Sequence, residues 1–304
     1  MRLFACTILL GTLTVALTIT APALSAENLS DIAAAEAVAL AGGMNFTEGP
    51  VWHKDGYVLF SDIPANKIMR WDASQGLSVW RENSNGSNGL TFDCEGRLIA
   101  CEHGARRVSR TEADGSIEVI ADKYKGKRLN SPNDCCVRSD GMIFFTDPSY
   151  GVRPEEKELS FQGVFAVKPG SEPILLADDF NMPNGIAFSP DESLIYICDS
   201  GRQGNRVRVF NVEKDGTLKN GKILIDNIGS PDGMKVDAKG NLYFASNEGL
   251  AIFNPTGNKI GVIKAAEQPA NCAFGGPDNK TLFITARKGF YAVRLKIAGQ
   301  PVWK

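Results

Sequence analysis

Histidine is scarce in this chain: His53 and His103 are the only two among 304 residues. No pair of Cys-x-x-Cys motifs occurs either, so a zinc site of the Cys/His type is not expected. Charge of one sign is also missing. With 33 Lys and Arg against 35 Asp and Glu, the formal net charge is −2, which supplies neither the cationic excess of a nucleic-acid binder nor a solvating acidic tail. Neither nucleic acid nor a charged lipid surface is an expected partner. Beyond the first 26 residues no stretch is apolar enough to span a bilayer, and no low-complexity segment or interdomain linker interrupts the chain. One domain over residues 27–304 is expected.

Residues 1–26 are a different kind of sequence. Arg2 precedes an apolar run from Leu3 to about Ile19, followed by the small-residue stretch Ala21-Pro-Ala-Leu-Ser-Ala26. This is the layout of a secretory signal peptide cleaved after Ala26 or Ser25; a membrane anchor is the alternative. The mature protein is expected to be exported, to the periplasm if the source is Gram-negative, and to be a monomer or weak oligomer. Cleavage removes Cys6 and leaves Cys94, Cys101, Cys135, Cys136, Cys198 and Cys272, whose pairing the sequence does not decide. A chain this long can build a core without disulfides.

What the sequence does contain is a phrase that occurs six times. Its clearest copy is Asn184-Gly-Ile-Ala-Phe-Ser-Pro-Asp-Glu-Ser-Leu-Ile-Tyr-Ile-Cys-Asp-Ser200: an apolar strand opened by a polar residue, a turn, and a second alternating strand. The copies open at Glu48, Asn88, Asn133, Asn184, Asp232 and Asn271, which are 40, 45, 51, 48 and 39 residues apart. That spacing suits four-stranded propeller blades. The expected fold is therefore all-β, a six-bladed β-propeller. After its strands near Asn271, Leu282 and Tyr291 the last copy ends, and the alternating segment Glu36–Ala41 is expected to supply the missing fourth strand and close the ring. A short helix over Asp31–Ala37 is the competing reading there.

If each copy is the innermost strand of its blade, six oxygen-bearing side chains converge at one end of the central channel. Asn and Asp also cap turns before strands, but recurrence in all six copies makes that a poor account of the set. Glu48 and Asp232 at close quarters would repel each other unless a cation sat between them, with Asn carbonyls as neutral ligands. An all-oxygen donor set suits one hard divalent metal ion, calcium first, with magnesium, manganese or zinc as alternatives. The same face would carry the polar ends of the second strands, among them Glu102, His103, Asp147, Tyr150 and Asp199. Asx turns explain Asp147 and Asp199 equally well, and Arg106, Arg107 and Arg128 read as solvated charges. No His lies near Cys135 and Cys136 in sequence to activate either as a nucleophile.

Several phrases together, Thr47-Glu-Gly-Pro-Val-Trp52, Ser131-Pro-Asn-Asp134, Thr146-Asp-Pro-Ser-Tyr-Gly151, Pro183-Asn-Gly-Ile-Ala187, Pro231-Asp-Gly-Met234 and Asn271-Cys-Ala-Phe-Gly-Gly-Pro277, resemble the gluconolactonase family, which includes regucalcin and is related to diisopropyl fluorophosphatase. The resemblance covers nearly all of the mature chain. It implies a six-bladed propeller with one divalent metal at its axis, held by Glu48, Asn133, Asn184 and Asp232. Asn88 and Asn271 would then stand near the metal or its waters. Ser131 occupies the position where regucalcin carries a substrate-contacting Arg, which leaves sugar specificity open. The expected activity is metal-dependent hydrolysis of a sugar lactone, with water activated by the metal or Asp232, and Tyr150, Glu102, His103, Asn130 and Asp199 lining the substrate. A phosphotriesterase-like hydrolase and a metal-stabilised sugar-acid binding protein are the alternatives.

Overall fold

Two of the repeated hairpins turn on the same local device. In the second copy the Asp93 carboxylate accepts the backbone N–H groups of Glu95 and Arg97 at 3.0 and 2.9 Å, and in the fifth Asp237 accepts those of Lys239 and Asn241 at 2.8 and 2.9 Å. The glycine inside each of these turns, Gly96 and Gly240, has φ of +86°, a conformation that costs other residues energy. The turn thus fixes the register of the apolar strands on either side.

The computed structural model of the protein describes residues 28–301 apart from Ala35, Arg202 and Gln203; the leader expected over residues 1–26 lies outside the described residues. Six four-stranded antiparallel sheets form the blades. From the channel outward, blade 1 is Thr47–His53, Tyr57–Asp62, Lys67–Asp72 and Gly76–Glu82, and blade 2 is Ser87–Phe92, Leu98–Glu102, Arg107–Thr111 and Ile117–Ala121. Blade 3 comprises Cys135–Val137, Ile143–Asp147, Gly163–Val167 and Ile174–Ala177. Blade 4 comprises Pro183–Phe188, Leu194–Asp199, Arg206–Val212 and Leu218–Ile225. Blade 5 is Met234–Val236, Leu242–Ser246, Gly249–Phe253 and Lys259–Ile263, and blade 6 is Pro269–Gly275, Thr281–Ala286 and Gly289–Arg294 with Val38–Ala41 as its outermost strand.

The last pairing closes the ring, with Val38 opposite Ala292 and Ala39 opposite Tyr291. The closing strand is two residues shorter at its start than the alternation suggested, and the helix is a single turn, Leu29–Ile32, ahead of it. Innermost strands touch those of both neighbouring blades, and blade 6 returns to blade 1. The seam between first and last blades is aromatic: Phe60 stacks on Phe290 with centroids 4.5 Å apart, and Trp52 on Phe283 at 5.6 Å. Such pairs add about 0.5–1.5 kcal/mol each beyond their buried area.

The core lies between blades. Inner and middle strands are buried on both faces, so Phe144, Phe145, Phe165, Tyr243 and Phe244 are all fully enclosed. Cys101, Cys135, Cys198 and Cys272 are buried within this packing as free thiols, while the Cys94 thiol is exposed.

Candidate active site

The ring of axial residues is delivered by close approach of backbones. In four copies the residue after the axial oxygen is Gly49, Gly89, Gly185 or Gly233, and a Cβ there would collide with the axial residue of the next blade, Asn88, Asn133, Asp232 and Asn271 respectively. The Gly89 N–H donates to the Asn133 carbonyl at 2.8 Å, and the Gly233 N–H to the Ala270 carbonyl at 2.9 Å. Hydroxyls on the second strands reinforce the ring: Ser61 Oγ donates to the Asn88 carbonyl and Thr146 Oγ1 to that of Asn184, each at 2.8 Å.

Glu48, Asn133 and Asn184 are buried at the head of the channel, and Asp232 is partly exposed there. Glu48 Oε2 accepts its neighbour's Gly49 N–H at 2.7 Å. Burial first, and the charge of Asp232 second, push the Glu48 carboxyl well above the usual carboxylate range. Burial likewise lifts Asp232 to about 7, opposed by a hydrogen bond to the Asn184 side chain and helped by Asp134. Two carboxylates that resist ionisation side by side are relieved by a cation between them. Among the described residues no three or more His, Cys, Asp and Glu side chains are grouped to hold a metal, so amide oxygens would complete the set. Those oxygens are supplied unequally. Asn184 uses its Nδ2 on Tyr150 Oη at 3.3 Å, whereas Asn271 Oδ1 accepts the Cys272 N–H at 2.8 Å and is turned from the axis. The donors present fit a hard divalent cation.

Below the ring the channel is plugged. Asn271 of blade 6 donates across it to Asp134 Oδ2 of blade 3 at 3.3 Å, and Lys235 Nζ of blade 5 lies 4.0 Å from the same oxygen. A cavity of about 650 Å³ opens beside His103, Tyr150, Arg106 and Arg128, and Tyr150 links it to the axial Asn184.

The sequence-derived substrate residues divide. Tyr150 and His103 border that cavity. Burial raises the Tyr150 phenol to about 12 and lowers His103 to about 4, so both are neutral at pH 7. His103 Nε2 stands 3.2 Å from Asn88 Nδ2, which makes it the acceptor and places the ring proton on Nδ1. Glu102 and Asp199 do not line the cavity and are engaged within the fold. Glu102 is fully buried and faces into blade 2, its oxygens taken by Arg107 Nε at 2.7 Å, Ser109 Oγ at 2.6 Å and Arg81 Nη2 at 3.3 Å. Asp199 Oδ1 accepts the N–H groups of Asn181 and Met182 at 3.1 and 2.9 Å. Asp62 holds those of Asn45 and Phe46, and Asp147 those of Asn130 and Ser131, in the same way. In each case the carboxylate fastens residues three and two before the axial residue, so these acids fix the backbone that delivers it. Asn130 is fully buried, its Nδ2 bound to the Asp147 and Phe161 carbonyls at 3.1 and 3.0 Å.

Arg106, which the sequence suggested was solvated, is buried. Its Nε donates to the carbonyls of Leu129 and Asn130 at 2.7 and 2.8 Å, and Nη1 to that of Glu156 at 3.0 Å. No sequence signal marks this, because the three carbonyls lie on loops 23 to 50 residues away.

Comparison with known proteins agrees with this architecture. The chain is 34% identical to a gluconolactonase from Zymomonas mobilis over 86% of this chain and 81% of the relative, and 29% identical to regucalcin from Xenopus laevis over 79% and 82%. The solved structure of a gluconolactonase from Xanthomonas campestris superposes with a TM-score of 0.82 at 32% identity, covering 88% of this chain and 92% of that one. The family model described as SMP-30/Gluconolactonase/LRE-like region matches residues 46–288, from just before the first axial residue to the end of the last repeated hairpin, and the chain therefore belongs to that family.

Proposed function

We propose that the protein is a divalent-metal-dependent hydrolase that opens a sugar lactone of the gluconolactone type to its aldonic acid. The observation that carries this reading is the pair Glu48 and Asp232, two carboxylates resisting ionisation at the head of the channel of a gluconolactonase-family propeller. Glu48, Asn133, Asn184 and Asp232 would hold the ion, with calcium favoured by the all-oxygen donors. When bound, the cation would supply Lewis-acid polarisation of the lactone carbonyl. Asp232, the most exposed of the four, is the base that takes a proton from the attacking water. Attack at the carbonyl carbon and loss of the ring C–O bond leave a carboxylic acid and a hydroxyl: the ring oxygen receives the proton that Asp232 took from water, and the acid ionises, releasing the second proton to solvent. Tyr150, a phenol at neutral pH and anchored by Asn184, donates a hydrogen bond to a substrate oxygen, while neutral His103 offers a further polar contact. Residues 1–26 would direct export, which N-terminal sequencing of the mature protein checks.

The test is hydrolysis of glucono-1,5-lactone by metal-stripped protein, followed with a pH indicator as calcium, magnesium, manganese and zinc are added back in turn. Turnover restored by a metal is the expected result. No turnover with any of them, on this or related sugar lactones, would remove the reading.

A further inference from the structure

Arg106, which lines the cavity over blades 2 and 3, carries a donor that the fold does not use. Arg106 sits on the turn after Leu98–Glu102 with φ of +57° and is 8% exposed. Its Nε and Nη1 are committed to three backbone carbonyls, but Nη2 is buried without a hydrogen-bond partner. Two further orphans lie on the loop that Arg106 grips, Asn130 Oδ1 and Ser131 Oγ, both on fully buried residues. Native interiors seldom leave such atoms unpaired, and of the three only Arg106 Nη2 belongs to a residue lining the cavity, where a polar ligand or its water can complete it. A cationic N–H donor complements an alcohol oxygen, which accepts.

The rest of the cavity has the same character. Beyond His103, Tyr150 and the two arginines it presents the carboxylate side chains of Glu155, Glu156 and Glu158, and Val152 is its only aliphatic member. Three carboxylates against two guanidiniums make it a poor host for an anionic substrate, and one valine makes it a poor host for an alkyl chain. A neutral polyhydroxylated ring suits both conditions.

We propose that Arg106 is a substrate-anchoring residue whose Nη2 donates to a ring hydroxyl, and that it sets the preference of this site for polyhydroxylated over alkyl lactones. This rests on the lactonase reading above and adds to it the residue that reads the sugar. Binding of the hydroxyl fills a donor already held in place by Nε and Nη1, so little ordering is required when substrate arrives. A site built to hydrogen-bond a substrate hydroxyl rejects analogues lacking it because its own polar atoms are then left unpaired.

The experiment compares kcat/KM for glucono-1,5-lactone and for δ-valerolactone, the same six-membered ring without hydroxyls, in wild type, Arg106→Met and Arg106→Lys. Loss of a charged hydrogen bond corresponds to roughly 10- to 100-fold in binding. The wild type should prefer the sugar lactone, and in Arg106→Met that preference ratio should fall by about this factor, chiefly through KM for the sugar, with Arg106→Lys recovering part of it. A ratio unchanged in both variants, the two substrates declining together, would show that Arg106 only supports the loops and would overturn the proposal. Should the methionine variant fail to fold, the lysine variant against wild type gives the same ratio. Wild type that turns over δ-valerolactone as well as the sugar lactone overturns the anchoring proposal alone, and wild type inactive on both overturns the lactonase reading with it.

Discussion

Replacing Asp199 by Ala separates two roles that the sequence could not. If Asp199 fastens the loop that delivers Asn184, its removal leaves the N–H groups of Asn181 and Met182 without the acceptor they have at 3.1 and 2.9 Å. Both residues are only half-buried, so water replaces part of the loss, and each stranded donor is worth about 1 kcal/mol, the low end of the usual range. The contact of the Arg206 guanidinium with Oδ2 at 3.8 Å is lost as well, adding on the order of 0.5 kcal/mol for a part-exposed pair. The total is about 2–3 kcal/mol. At about 2 °C per kcal/mol for a domain of this size, Tm should fall by roughly 4–6 °C. Urea denaturation should show a lower midpoint at unchanged slope. Asp62→Ala should behave alike, since it strands the N–H groups of Asn45 and Phe46. Wild-type stability in Asp199→Ala combined with a raised KM for lactone would refute the reasoning and restore Asp199 to the substrate wall.

Gly233→Ala places a methyl group against the Asn271 side chain. It should destabilise by about 1–3 kcal/mol as overpacking does, read as a lower denaturant midpoint; stability equal to wild type would mean the channel is looser than described. Glu48→Gln removes one of two mutually repelling carboxylates, so metal-stripped Glu48→Gln should be at least as stable as metal-stripped wild type. In wild type, ion at about a hundred times its Kd should add about 2.7 kcal/mol; a similar calcium-dependent rise in Tm in the variant would contradict the proposed ligand set. His103 is held near 4 when folded against 6.5 when unfolded, so the unfolded chain binds more protons between those values and stability rises with pH across that window. The contribution is intact above about pH 6.5 and lost as pH falls through 4, on the order of 3 kcal/mol in all. His103→Gln should flatten that limb of the stability profile, and an unaltered limb would show the ring to be readily protonated in place.

The axial ring was legible because it is a repeat: an oxygen-bearing residue opening six similar hairpins has one geometric meaning once those hairpins are innermost strands. Ring closure was legible for a related reason, since Pro269–Gly275 and its two partners leave a vacancy that an alternating segment near the start can fill. Side-chain direction at the far end of the second strand was not legible. Asp62, Asp147 and Asp199 follow their axial residues by 14, 14 and 15 positions, and the shared spacing was itself the available signal that they serve the blade instead of a single substrate. Glu102 stands at the same place, yet Arg81, Arg107 and Ser109 draw it elsewhere, a competition that depends on two neighbours in its own blade and one in the blade before it. Arg106 could not be found from sequence, because what distinguishes it is a left-handed backbone and carbonyls on two distant loops.

The pairing of Val38 with Ala292 joins residues 254 positions apart (292 − 38). Bringing the ends of so long a free chain together costs about 5 kcal/mol beyond a constant, from the logarithm of loop length. Each blade between them is built from neighbouring strands and can form from local contacts, which shortens the effective tether before the ends must meet. The first strand to leave the ribosome nevertheless waits for almost the last, so the nascent protein carries an unpaired edge on each terminal blade throughout synthesis. Were residues 1–26 to direct export as proposed, the clasp would be fastened only on the far side of the membrane.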